Sequence, residues 1–122
     1  MPLILVVDDE PDIVRVVSRI MQSCEYTVQT AQDGPEALEK ARAERPDVII
    51  LDLNLPGMNG FEVMKRLRAD EETRGIPIVM MTAAYVSIED ARRGNDSGAD
   101  EYVVKPFLRE VLVHNVQRLL NR

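Results

Sequence analysis

Tryptophan is absent from the sequence, and aromatic residues make up only 4% of its 122 positions. Any core must therefore be assembled from Val, Ile, Leu, Met and Ala. Cys24 is the only cysteine, which excludes an internal disulfide and fits a reducing cytoplasm. Basic residues are in deficit, 15 Lys and Arg against 21 Asp and Glu, for a formal net charge of −6. Direct nucleic-acid binding needs a basic face that displaces counterions, and adsorption to an anionic membrane surface needs the same, so this charge argues against both partners. Long apolar runs are missing as well. Leu3–Val7 is too short to cross a bilayer and ends in three consecutive acids, unlike a signal peptide. What the chain does have is 45% apolar residues, enough for one core, and a length that suits one domain over residues 1–122.

Short apolar runs alternate with longer amphipathic stretches. Residues 3–7, 48–51 and 78–81 are continuous apolar runs, the pattern of strands covered on both faces. Residues 26–31 alternate more, as an edge strand does, and residues 102–104 form a short fifth candidate. Helical spacing over residues 12–24 puts Ile13, Val17, Ile20 and Cys24 on one stripe. Pro35 opens a second helix, in which residues 36–44 turn Ala37, Leu38 and Ala41 inward before Pro46 closes it. Gly60–Ala69 aligns Phe61, Met64 and Leu67, and residues 108–120 align Leu112, Val116 and Leu119. A fourth helix over residues 87–93 has Ser87 as its N-cap. It runs into Gly94-Asn95-Asp96-Ser97-Gly98, which is turn chemistry, so the sequence predicts a short or frayed element. Five strands alternating with five helices predict an α/β fold, a doubly wound parallel sheet with right-handed crossovers. In such sheets the ligand site lies beyond the carboxyl ends of the strands.

Polar residues collect at those ends. Asp8, Asp9 and Glu10 follow the first strand, Asp52 ends the third, Thr82 ends the fourth and Lys105 follows the fifth. Folding requires none of them there, and gathered carboxylates raise one another's pKa unless a cation compensates. All-oxygen ligands favour a hard cation such as Mg²⁺, which uses one or two carboxylates and keeps several waters. A carboxylate, a divalent cation, a hydroxyl and a lysine around one point equip a site for phosphoryl transfer. Asp52 can attack phosphorus to give an acyl phosphate, while charge on the equatorial oxygens is neutralised by its neighbours. Cys24 and the Met80-Met81 pair read as core, and His114 as an exposed helix residue.

The runs Leu5-Val6-Val7-Asp8-Asp9-Glu10, Leu51-Asp52-Leu53-Asn54-Leu55-Pro56-Gly57-Met58-Asn59-Gly60, Met81-Thr82-Ala83, Gly98-Ala99-Asp100-Glu101-Tyr102 and Lys105-Pro106-Phe107 follow in order along essentially the whole chain. Together they resemble the response-regulator receiver domain of bacterial two-component systems. The resemblance implies a flavodoxin-like sheet in the order 2-1-3-4-5. It implies that Asp52 is the phosphoacceptor, supplied by a sensor histidine kinase or a phosphotransfer protein. Asp9 would be the direct acidic ligand of Mg²⁺ (or Mn²⁺), Asp8 would act mostly through water, and Asn54 would contribute its backbone carbonyl. Thr82 would be the switch hydroxyl, Tyr102 the aromatic that swings in behind it, and Lys105 the partner of the phosphoryl oxygens. The Lys105–Pro106 bond would be cis. Such a protein is a signalling switch that promotes its own phosphorylation and dephosphorylation, not an enzyme in the ordinary sense. Its output face would join the fourth helix, fifth strand and last helix, where Val111 and Val113 add apolar positions for a downstream protein, an effector domain or a homodimer. Departures from the family pattern are Asn95 and Ser97, where the family's fourth helix usually carries apolar or small residues, Leu108 in place of the small polar residue that often caps the last helix, and Ala84, which gives no polar handle on an attacking water.

Three other functions fit less well. A Mg²⁺-dependent phosphatase working through an aspartyl phosphate needs a second acid two residues after its nucleophile, where this chain has Asn54. A flavin carrier needs a phosphate-cradling loop after the first strand, where Asp8-Asp9-Glu10 would repel a phosphate. A phosphorylation-independent interaction module leaves the acid, Thr and Lys set without a purpose.

Overall fold

In the computed structural model, residues 1–83 and 99–121 are described. The predicted fourth helix, with Ala84, Asn95 and Ser97, lies outside them. The elements in chain order are β1 (Leu3–Val7), α1 (Pro11–Ser23), β2 (Thr27–Ala31), α2 (Gly34–Glu44), β3 (Val48–Asp52), α3 (Gly60–Ala69), β4 (Ile78–Ala83), β5 (Glu101–Lys105) and α4 (Arg109–Leu120), the helix the sequence places last. The five strands form one parallel sheet in the order β2-β1-β3-β4-β5.

Strand alternation sorts the core into two layers. Leu5, Val7, Ile49, Leu51, Ile78 and Met80 face Ala37 and Ala41 of α2 and Val63, Met64 and Leu67 of α3. Their neighbours in sequence, Ile4, Val6, Val48, Ile50, Val79, Met81 and Val103, face Val17 and Met21 of α1 and Leu112, Val116 and Leu119 of α4. Both faces are covered, which is why β1 and β3 read as unbroken apolar runs. The two methionines of β4 are fully buried, one on each side.

Two of the helices, α2 and α3, begin at side-chain caps. Asp33 accepts from the Glu36 N–H at 2.9 Å, and Pro35 sits in the first turn of α2. Asn59 accepts from the Glu62 N–H at 2.9 Å and starts α3. Each side-chain oxygen satisfies one otherwise orphaned N–H. After β3 the chain turns at Gly57, whose φ of +77° suits a residue with no Cβ.

Four details differ from the sequence reading. Met21, not Cys24, completes the buried stripe of α1, and Cys24 is a half-buried C-cap. The spacing is the same 3.6-residue pattern, but the helix ends one residue before Cys24, so the stripe has nothing to continue on. Val63 joins Met64 and Leu67 as the buried face of α3, and Phe61 packs against it from the side. Thr82 and Lys105 are the penultimate and last residues of longer strands than predicted. Val113 packs against the core, leaving Val111 the exposed one of that pair.

Candidate functional site

The order of the strands reverses between β1 and β3, so a crevice opens at their carboxyl ends. Asp8 follows β1 directly and Asp52 is the last residue of β3, paired in register with Met81 of β4. Both carboxylates are buried, Asp8 at 0% exposure and Asp52 at 3%. Lys105 ends β5, two strands away, and its long stem reaches back across β4. Its Nζ lies 2.9 Å from Asp8 Oδ2 and 3.2 Å from Asp52 Oδ1, so one ammonium bridges both acids. The Lys105–Pro106 peptide bond that follows is cis.

Asp9 and Glu10 are exposed and sit with Asp8 so that one carboxylate oxygen from each lies within 4.8 Å of the others. Asp8 Oδ1 also accepts from the Glu10 N–H at 3.0 Å, which fixes the turn into α1. Three carboxylates thus gather after β1, one of them sharing the Lys105 ammonium with Asp52, and such oxygens are the donor set of a hard cation. Asp8 and Asp9, with Asp52 joined through Lys105, suit that role, and Asn54 lies two residues past Asp52 on the exposed rim.

Burial pushes the Asp52 carboxyl up from 3.8 to about 6, and the charge of Asp8 pushes it in the same direction. The Lys105 ammonium and a backbone hydrogen bond from Asn54 pull it back only in part. Burial works to lower the Lys105 ammonium, but its hydrogen bond to Asp8 and the charges of Asp52 and Asp8 outweigh it, and the net direction is up. Asp52 is therefore destabilised as an anion, while Lys105 is held firmly as a cation. That combination makes Asp52 a candidate for chemistry.

Thr82 is buried at 4% exposure, and its hydroxyl finds no hydrogen-bond partner among the described residues. A buried hydroxyl left unpaired costs stability and calls for an explanation. Tyr102 is paired in register with Met80 and packs, half-buried, against the α2 and α3 side of the core. Thr82 lies two residues beyond Met80, so alternation places it on that same face, whereas Asp52 and Lys105 share the parity of Ile50 and Val103 on the other.

The sequence reading grouped Glu10 with Asp8 and Asp9 after the first strand but gave it no place among the metal ligands. It also missed a polar clasp at the opposite rim of the sheet. Asp100 Oδ2 accepts from the Ile78 N–H at 2.8 Å and from Arg68 Nη2 at 2.9 Å. Arg68 Nη1 donates to the carbonyls of Arg74 and Ile76, each at 2.7 Å. His114 is exposed and stands apart from the acidic site.

A parallel sheet with acids and a lysine at its carboxyl edge defines a class of phosphoryl-handling α/β domains. The chain belongs within it to the response regulator receiver domain family, whose model matches residues 4–117. It is 46% identical over 122 residues to the DNA-binding dual master transcriptional regulator RpaA of Synechocystis sp., covering all of this chain and 50% of that protein. The chain spans about half the length of the curated relatives it matches. Among solved structures it resembles the chemotaxis protein CheY4 of Vibrio cholerae, with 42% identity, a TM-score of 0.91, and coverage of 98% of this chain and 99% of that one. It also resembles the receiver domain of the sensor histidine kinase PA1611 of Pseudomonas aeruginosa, which carries a magnesium ion coordinated in its active-site cleft. There the identity is 31% and the TM-score 0.91, with 99% of this chain and 98% of that chain covered. The chain is thus a phosphorylation-dependent signalling module. No helix among the described residues is long and apolar enough to cross a membrane.

Proposed function

We propose that residues 1–122 form one cytoplasmic receiver domain in which Asp52 accepts a phosphoryl group from a phosphohistidine of a sensor histidine kinase or phosphotransfer protein. The observation that carries this reading is the shared ammonium, Lys105 Nζ at 3.2 Å from the buried Asp52 carboxylate and 2.9 Å from Asp8. In the transfer, an Asp52 carboxylate oxygen forms a bond to phosphorus as the phosphorus–nitrogen bond to the donor histidine breaks, and the electron pair leaves on the imidazole. Asp8, Asp9, Asp52 and the Asn54 backbone carbonyl would hold Mg²⁺ (or Mn²⁺), which when bound neutralises charge on the transferred group. Lys105 needs to move only from carboxylate to phosphoryl oxygen, a change that keeps its charge compensated.

Thr82 supplies the readout. Its hydroxyl, unpartnered among the described residues, turns over the carboxyl edge of β4 from the α2 and α3 face to donate to a phosphoryl oxygen on Asp52, and Tyr102 follows into the space behind it. The change shifts a pre-existing two-state equilibrium, because the phosphorylated state alone satisfies that hydroxyl. The output passes to β5 and α4, where Val104, Leu108 and Val111 are exposed apolar side chains. A downstream protein, an effector domain or a second copy of the chain would dock there. With a net charge of −6, the chain itself makes no direct nucleic-acid contact, and any such contact belongs to an effector. Water returns Asp52 to its free state by attack on the acyl phosphate, so the domain promotes both halves of its own cycle.

The test is incubation with acetyl phosphate and Mg²⁺ followed by intact-mass measurement. Wild type gains one phosphoryl group and Asp52→Asn gains none. Equal labelling of both proteins rejects Asp52 as the acceptor.

A further inference from the structure

We infer that Gly60 is a positioning residue for the phosphoacceptor: α3 is seated on the Asp52–Leu53 backbone so closely that a side chain at position 60 would displace Asp52 from Lys105. The inference rests on the reading of Asp52 as the acceptor and names what sets its depth in the site. A Cβ on Gly60 would lie 2.6 Å from the Asp52 carbonyl oxygen and 2.8 Å from the Leu53 Cα. Both are backbone atoms, and neither can turn aside. The Gly60 N–H donates to the Leu53 carbonyl at 2.7 Å, and the Leu53 N–H donates to the Met81 carbonyl of β4 at 2.9 Å. The peptide between Asp52 and Leu53 is therefore held by the sheet on one side and pressed by the helix on the other.

Helix propensity points the opposite way. Gly60 is the first residue of α3, and Ala there would favour the helix and reduce the entropy lost on folding. Crowding, not conformation, is what requires glycine at this place. Gly34 makes an internal comparison. Its Cβ would meet Met58 Sδ at 2.8 Å, with Met58 Cβ and Val63 Cγ2 each at 3.0 Å. Met58 Sδ and Val63 Cγ2 are side-chain ends that can shift, and Met58 Cβ moves with its own loop residue and not with the Asp52 backbone.

The experiment follows phosphorylation by acetyl phosphate in saturating Mg²⁺ across a range of donor concentrations for wild type, Gly60→Ala and Gly34→Ala. For Gly60→Ala the limiting rate constant is expected to fall about tenfold or more, because an acceptor displaced by a fraction of an ångström loses its in-line geometry. Its half-saturating donor concentration stays within about twofold of wild type, since ground-state binding is not the property altered. Gly34→Ala loses thermal stability but keeps its limiting rate constant within about twofold. A folded Gly60→Ala with the wild-type rate constant overturns the inference, as does equal slowing of both glycine variants. If Gly60→Ala does not fold, Asn59→Ala serves instead. It removes the cap that holds the first turn of α3 and introduces no clash. A limiting rate constant reduced about threefold supports the inference, and an unchanged one overturns it. Wild type that takes up no phosphoryl group removes the acceptor reading and this inference together, whereas a wild-type rate in Gly60→Ala removes the inference alone.

Discussion

Replacing Asp52 by Asn should stabilise the protein at pH 8 and cease to do so in acid. The folded carboxyl is pushed from 3.8 to about 6, and with a side chain only 4% exposed, screening by solvent does little to dilute the cost of ionising it. Because the folded state holds this proton more tightly than the unfolded chain does, the native protein carries the excess proton in the window between the two values. Stability therefore falls as the pH rises through that window. The stabilising contribution is fully present below the unfolded value and is gone above the folded one. Roughly two pKa units correspond to about 3 kcal/mol. Asn cannot ionise, so the variant escapes this loss, and all other groups titrate alike in both proteins to a first approximation. Urea unfolding of both proteins at several pH values from 4 to 8, in the presence of a chelator, measures the difference directly. The advantage of the variant is expected to grow by about 2.5 kcal/mol across that range. Two stability curves that run parallel would refute the claim that burial and Asp8 strain the Asp52 anion.

Other substitutions address the partners of Asp52. Lys105→Met strands two buried carboxylates and should cost about 3 kcal/mol at pH 8. The cost should be smaller at pH 5, where Asp52 can take up a proton, and phosphorylation by acetyl phosphate should become far slower. Thr82→Val removes a buried hydroxyl that has no partner among the described residues and should raise stability by about 1 kcal/mol in denaturant titrations. Phosphorylation should persist in that variant while the associated change in partner binding is lost. Asp100→Ala leaves the Ile78 N–H and part of the Arg68 guanidinium without their acceptor. It should cost about 2 to 3 kcal/mol and leave the phosphorylation rate of the remaining folded protein near wild type.

The strands were legible because burial on both faces leaves a continuous apolar signature, seen most clearly in β3, where all five residues are buried. The α3 boundaries were equally legible from the helical spacing of apolar residues over Gly60–Ala69, the bounds the structure has. Met21 was overlooked because helical spacing alone does not say which of several apolar residues lies inside the last turn. The acids, Thr82 and Lys105 announced themselves as polar residues at strand ends where folding asks for none. Their relations were not visible in the same way. Nothing local in the sequence shows that Asp8 is the buried acid held by Lys105 while its neighbour Asp9 faces solvent, because that division arises from which strand lies across the crevice. The Arg68–Asp100 clasp was hidden for the same reason, since its partners are 32 residues apart and lie on separate elements. The crowding at Gly60 depends on the approach of a helix to a strand end, which only tertiary packing determines.

The Asp100 clasp has a mechanical consequence. It ties the origins of β4 and β5 to the end of α3, at the rim farthest from the acids. The other ends of the same two strands carry Thr82, whose hydroxyl has no partner among the described residues, and Lys105, whose charge is divided between two owners. Any pull that a modified Asp52 exerted on those two tips would reach the surface at Val104, the exposed residue paired in register with Thr82.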